Sequence, residues 1–442
     1  MRLGSALRRP FFWVLLSLFW LLIGCALSNP KWATIFARHP HAGHDFEGFY
    51  ASIVSLRAIG DCYSDRHVHY IEAYYPSVRA DSSNPNPPPF FLLMLPLSML
   101  SQFDALLVFN ALGTAFFVAT TYLWCRRLLS LGPLSCGLVV LGWGSLLPMS
   151  GVGLDEYMLG QLGFFLGGSF ALAWLADDDG RPAVAGFWLS LAIWMKLWPI
   201  LLAVYFARMR HWRTLGWCLG WGALQALASL LLWGPHCWAA WLQRLELVRE
   251  GTQGNWPSHS LTTLLIRFCG FQPSTASLVD LEGLTCVLVI YWLYAMPACQ
   301  DRGGMQVRAL AFCQLVLVCL IFNPYTWPSY QPVNILLWVS LAGFLTTTQD
   351  PPFGRFTSFL VFLTLNTVGA IFILDGEIVT SRLLLAIHNA YMRWFPAALH
   401  LLAILGMTWW IQLRVLTAHD DRDALQDEES GSDEEELRVA EE

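Results

Sequence analysis

Apolar segments long enough to cross a bilayer recur through this chain from Phe11 to Arg414, separated by turns rich in Gly, Pro and charge. A hydrocarbon core about 30 Å thick takes roughly 20 apolar residues per helix, and about a dozen segments here qualify. Helices satisfy their own backbone polar groups in lipid, so the expected fold is all-α. Only 13% of the 442 residues are charged and 56% are hydrophobic, whereas a soluble domain carries about 25% charge. The reading is a polytopic membrane protein with about 12 transmembrane helices and interfacial helices in its first outer loop. One membrane domain is expected over residues 1–418, followed by an acidic tail, 419–442.

The tail holds 12 Asp and Glu against Arg422 and Arg438, a charge of −10 within an overall −6, so the rest of the chain is +4. Such a tail is expected to be disordered, as a solvated end or a partner-binding segment. No nucleic-acid partner is expected. The 11 cysteines form no CxxC and no zinc spacing. Most lie inside apolar runs as small hydrophobes. Cys62 and Cys237 fall in outer loops, and nothing in the sequence pairs them.

Arg2, Arg8 and Arg9 precede the first apolar run, which places the N-terminus in the cytoplasm by the positive-inside rule. Leu22-Ile23-Gly24-Cys25 resembles a lipoprotein cleavage box, but an uncleaved first helix accounts for the same pattern. Spans are then expected at 105–124, 134–149, 158–176, 215–233, 276–296, 305–322, 330–346, 356–374 and 396–414. Two short helices, 183–197 and 199–207, meet at Lys196. Arg126, Arg127, Arg208, Arg210, Arg213, Arg302, Arg308, Arg355 and Arg414 all fall on the cytoplasmic side of this arrangement, and both termini lie there. The membrane is expected to be the cell inner (plasma) membrane, with the chemistry on its periplasmic face.

That chemistry centres on the loop from His41 to Pro96. Residues Asp45–Ile59 are predicted to form a helix with Phe46, Phe49, Tyr50, Ile53, Val54 and Arg57 near one face, lying in the plane of the membrane. The prolines Pro87-Pro88-Pro89 open a second short helix, broken at Pro96. Asp45 and Glu47 sit beside His41 and His44. A carboxylate in an apolar, aromatic interfacial segment can act as a general base. It can equally be an exposed loop acid or a helix cap. Asp45, Glu47 and the histidines also have the donor types of a divalent-metal site, but at no recognised spacing. His67 and His69 are weaker candidates of the same kind.

Lys196 stands among apolar residues in a membrane segment. It can hold a phosphate or snorkel to the interface. Gln161 reads as a polar group on a Gly-rich helix, with helix packing as the plainer role. Asn255, Ser258, His259 and Arg267 cluster in the second outer loop, where an arginine can pair a phosphate bidentately. Trp327 and Tyr330 lie in a third loop rich in aromatic and proline residues. Flat rings with hydroxyls and amides suit sugars, and also suit an interfacial belt. Together these outer-face groups are what transfer of a sugar from a lipid phosphate would need.

Over residues 10–415 the chain resembles the bacterial polyprenyl-phosphate-sugar-dependent glycosyltransferases of the C-type superfamily, glycosyltransferase family 87, which includes α-mannosyl- and arabinofuranosyltransferases. Four patterns carry the resemblance. They are Asp45-Phe46 with Tyr50, Gly60 and Tyr63; Asn86-Pro87-Pro88-Pro89 with Leu95-Pro96-Leu97; Gly160-Gln161 with Ala185-Gly186, Lys196 and Pro199; and Asn255, Ser258, Leu261 and Arg267 with Asn323-Pro324 and Trp327. The resemblance implies inverting transfer of a monosaccharide, mannose or a relative, from a polyprenyl-phosphate donor to an envelope glycolipid or glycan. Asp45 would match the family's base, and Glu47, two residues on, is the alternative catalytic carboxylate. Lys196 and Arg267 would contact the donor phosphate. Tyr50, Gln161, Asn255, His259, Trp327 and Tyr330 would line the substrate site. Pro328 and Ser329 depart from the acid or polar residue and the histidine that many relatives place after the tryptophan. No cofactor is required on this reading, with a divalent metal the alternative. A transporter or flippase of lipid-linked sugars would share the helix count and the intramembrane lysine, but would predict internal inverted repeats.

Overall fold

A computed structural model describes residues 43–75, 86–129, 131–144, 156–157, 159–251, 304–322 and 333–347, and these are helices and turns with no strand among them. The expected first span, the spans at 276–296, 356–374 and 396–414, and the acidic tail lie outside the described residues. So do the candidate site residues Asn255, His259, Arg267, Trp327 and Tyr330.

Helix α1 (His44–Ile59) starts after Gly43 and ends at Gly60, which takes the left-handed conformation common at helix C-termini. Ser64 caps α2 (Asp65–Tyr74), its hydroxyl accepting from the Arg66 amide at 3.2 Å. The proline cluster opens α3 (Phe90–Met94), and Pro96 turns the chain into a 3-10 helix, Leu95–Met99. Helix α4 (Gln102–Leu128) is capped by Ser101, and Arg126 and Arg127 occupy its last turn, where cations complement the helix dipole. Then follow α5 (Pro133–Gly144), α6 (Gly163–Asp178) and α7 (Pro182–Met195). A 3-10 helix, Trp198–Leu202, leads into α8 (Ala203–Arg208). Pro199 forces the break after Met195, because its ring would clash with the carbonyl four residues back. Helix α9 (Trp212–Gly251) bends at Gly234 (φ 77°) and Pro235. The last two are α10 (Met305–Phe322) and α11 (Asn334–Thr347).

Helix α7 packs between α6 and α9, α4 between α6, α5 and α11, and α10 against α11. Small residues allow these close approaches. A Cβ on Gly186 of α7 would lie 2.6 Å from the Cys218 backbone nitrogen of α9. Buried Trp124 donates its indole N–H to the Leu336 carbonyl and Ser340 Oγ, both at 3.1 Å, and packs edge-on against Trp174. One side chain thereby joins α4, α6 and α11.

Among the described residues, two helices are long and apolar enough to cross a membrane, Gln102–Leu128 and Trp212–Leu245. The second presents an open apolar face on which Leu219 and Leu231 are 75% and 77% exposed. Such a face is costly in water and suited to lipid.

The structure differs from the sequence reading of α1. Beyond the expected Phe46, Phe49, Tyr50, Ile53 and Val54, it also buries Ala51, Ser52, Ser55 and Leu56. It is therefore enclosed on most sides, by α2, α3, the Leu95–Met99 turn and α4, rather than lying with one polar face open. The second outer loop likewise continues as helix through residue 251.

Polar side chains gather at both ends of α4. At its start Gln102 Nε2 donates to Glu47 Oε1 at 3.0 Å. At its end Arg127 meets Asp178 at 2.7 Å. The two levels are about 38 Å apart along the axis, a little more than a hydrocarbon core. At the second level Asp178 also binds Arg308 of α10 at 2.7 Å, while Asp177 accepts from Thr214 at 2.5 Å and pairs with His211. Replacing Asp178 with Ala leaves two arginines without their shared acceptor. Because both are a third or more exposed, the expected loss is on the order of 1–2 kcal/mol, below that of a fully buried pair. A lower thermal midpoint in detergent measures it.

Candidate active site

The outer-loop end of the bundle brings together segments far apart in the chain. Asp45 and Glu47 occupy the first turn of α1, where negative charge complements the helix dipole. The N-cap position belongs to Gly43, so Asp45 is not the cap. Gln161 donates from Nε2 to Asp45 Oδ2. Its other amide atom, Oε1, is buried and has no hydrogen-bond partner among the described residues. Gln161 does not lie on the Gly-rich helix expected at 158–176. It precedes α6, which begins only at Gly163. The cause is Gly160, whose φ of +68° ends the preceding turn. A Cβ on Gly160 would lie 2.6 Å from Phe46 Cβ and 2.8 Å from Leu106 Cδ1. Only glycine both takes that conformation and lets Gln161 approach α1.

Glu156 is the group that sequence reasoning passed over as a loop acid. It is 1% exposed. Its carbonyl accepts from the amides of Gly160 at 3.0 Å and Gln161 at 3.1 Å, and its Oε1 accepts from the Phe164 amide at 3.0 Å. Glu156 therefore holds the turn that presents Gln161. The spacing E-x₇-F across a glycine turn, a carboxylate reaching an orphan helix N–H, was its one sequence signal. Asn110 and Thr114 of α4 brace the same turn through the Tyr157 carbonyl at 3.1 Å and hydroxyl at 2.8 Å.

Lys196 enters from the α7 break. Its backbone is extended (φ −150°, ψ 140°), and its ammonium is attracted by both Asp45 and Glu156. The structure thus places Asp45, Gln161 and Lys196 together, with Glu156 added. Glu47 lies two residues on in the same turn of α1, bound by Gln102. Tyr50 is buried, and its hydroxyl donates to the Leu100 carbonyl at 2.8 Å. A carboxylate oriented by an amide beside a cation can accept a proton and leave an adjacent anion stabilised.

No group of three His, Cys, Asp or Glu converges to hold a metal among the described residues. His67 of α2 is buried with neither ring nitrogen hydrogen-bonded. Burial lowers it from the ordinary 6.5 to about 4, with nearby Asp61 opposing and Arg244 assisting. Asp61 is also buried, which raises it, but donation from the Ser64 hydroxyl and the Tyr63 and Ser64 amides outweighs that and holds it below the usual carboxylate value.

An all-helical bundle with a lipid-facing helix and a polar site at one end has the architecture of an integral membrane protein. Residues 85–324, more than half of the chain, match the model of glycosyltransferase family 87, and the chain belongs to that family. It is a membrane glycosyltransferase, acting between a sugar donor and an acceptor. The matched residues include Gln161 and Lys196, whereas Asp45 and Glu47 precede them. No curated protein and no solved structure matches the chain.

Gly160→Ala is expected to strain the turn by about 1–3 kcal/mol and to lower sugar transfer at least tenfold while the helices remain folded. Circular dichroism and a transfer assay on the same preparation would separate the two effects. For His67, the unfolded chain binds a proton near pH 6.5 that the folded chain refuses until about pH 4. Stability is complete above the first value and falls as pH drops towards the second, by roughly 3 kcal/mol in all. Thermal midpoints of wild type in detergent should fall across that window, and His67→Phe should flatten the slope.

Proposed function

We propose that this chain transfers a monosaccharide, mannose or a close relative, from a polyprenyl-phosphate carrier to an envelope glycolipid or glycan acceptor, with inversion, at the periplasmic face of the inner membrane. The observation that carries the reading is the convergence of Asp45, Gln161 and Lys196 from α1, the turn before α6 and the α7 break. On this reading Asp45 removes the proton from the acceptor hydroxyl as its oxygen attacks the anomeric carbon. The bond from that carbon to the phosphate oxygen breaks, and polyprenyl phosphate leaves with the electron pair. A single displacement inverts the anomeric centre. Gln161 fixes the plane of the Asp45 carboxylate, and Lys196 neutralises charge on the departing phosphate.

Arg267 supplies a second phosphate contact in this proposal. Tyr50, Asn255, His259, Trp327 and Tyr330 shape the sugar and acceptor sites. Glu47 supports Asp45 from the same turn of the helix. A lipid phosphate is already a competent leaving group, so basic side chains suffice to stabilise it. Placement of Asp45 outside the bilayer follows from the arginine distribution along the chain.

The test is transfer of radiolabelled sugar from polyprenyl-phosphate mannose in membranes, at matched expression. Asp45→Asn and Asp45→Ala should each lose about a hundredfold or more. Lys196→Met should depress turnover strongly, and Lys196→Arg should recover part of it. Unchanged transfer in both Asp45 variants would move the base elsewhere. Absence of transfer in wild type across several lipid-linked sugars would overturn the donor assignment.

A further inference from the structure

The first outer loop and the bent part of α9 meet in register. The Asp61 carboxylate lies within the field of His236, and His67 within that of Arg244. Between those pairs, the Cys62 thiol neighbours that of Cys237, and both are free, buried thiols in this structure. Both cysteines are buried, at 3% and 0% exposure. Each lies two or three residues after a glycine in the left-handed region, Gly60 (φ 70°), which ends its helix, and Gly234 (φ 77°), which bends its helix. The Cys62 side of the contact is held in place. Tyr63 donates its hydroxyl to the Asn86 carbonyl at 2.6 Å, and Asp61 accepts from the Tyr63 amide at 3.0 Å.

We propose that Cys62 and Cys237 are joined by a disulfide that fastens the far end of α1 to α9. The inference rests on the outer-face placement proposed above, because disulfides persist outside the reducing cytoplasm. The two free thiols must approach to a bond of about 2.05 Å. The two thiols lose two electrons and two protons. The oxidant is the disulfide of an envelope thiol–disulfide oxidoreductase, which is reduced to a dithiol by exchange through a mixed disulfide. Exchange needs a thiolate and access. In the folded chain, burial pushes the Cys62 thiol well up and closes off both sulfurs. The bond therefore forms before α9 settles on the loop, and acts afterwards as a permanent staple rather than a switch. It closes a long loop, which restricts the unfolded chain most. It also anchors the helix whose first turn carries Asp45.

The full-length chain, denatured from membranes in N-ethylmaleimide without reductant and digested, is expected to yield a linked Cys62–Cys237 peptide. Reductant should abolish it, and Cys62→Ser should lack it. The Cys62→Ser, Cys237→Ser double variant should unfold at the same lower temperature as reduced wild type. Alkylation of both thiols in unreduced wild type overturns the proposal. Tyr74→Cys, at a position 71% exposed on α2, tests the placement separately with a membrane-impermeant maleimide on intact cells. If it is labelled and the pair is reduced, the disulfide is wrong and the outer-face reading stands. If it is labelled only after permeabilisation, the outer-face reading fails and the disulfide fails with it.

Discussion

Charge removed from water within this bundle has to find its partner inside the protein, and the architecture follows from where those partners meet. Among the described residues there are two such levels, one at each end of α4. At one, Asp178 is shared by arginines from α4 and α10, and Asp177 binds the start of α9. At the other, Asp45 and Glu47 are bound by Gln161 and Gln102, and Lys196 faces two carboxylates. Between the levels, helices meet through rings and glycines. The first level fastens the bundle. The second places a carboxylate beside a cation, which is what the proposed transfer from an anionic carrier asks of a protein.

Breaks governed by local sterics were legible in the residues alone. Pro96 and Pro199 end helices wherever they fall, so the short pieces at 90–99 and the interruption at Lys196 were readable in advance. Helix α4 announced itself by its length and by Arg126 and Arg127 at its end. The burial of α1 on most sides was not legible, because Ser52 and Ser55 carry hydroxyls that a core has to satisfy. In the fold Ser52 returns its hydroxyl to the Gly48 carbonyl at 2.7 Å and Ser55 to the Asp61 carbonyl at 2.6 Å. Satisfied in this way, they bury without penalty. Gln161 was recognised as a candidate but assigned to a helix, since hydropathy takes no account of backbone sign at Gly160. Glu156 was missed because a carboxylate that bonds backbone amides only after folding has no pattern beyond its neighbours.

Membership of glycosyltransferase family 87 gives the activity its class, while the residues proposed for the chemistry come from segments the fold alone unites. Asp45 is more than a hundred residues from the amide that orients it. The route between them runs through α4, whose Asn110 and Thr114 hold the Tyr157 turn while Gln102 holds Glu47. One long helix thus sets the distance between the base and its support. Precision of about half an ångström in such a site depends on that kind of bracing.

Gly43 and Gly160 have one neighbour in common. A Cβ on the first would lie 2.7 Å from Leu106 Cδ2, and on the second 2.8 Å from Leu106 Cδ1. The leucine is wedged between two backbones that admit no side chain. In evolutionary terms these three positions form a closed set, since none can grow unless another shrinks, and both glycines are already minimal. Diversification of donor or acceptor preference then has to come from residues outside this set.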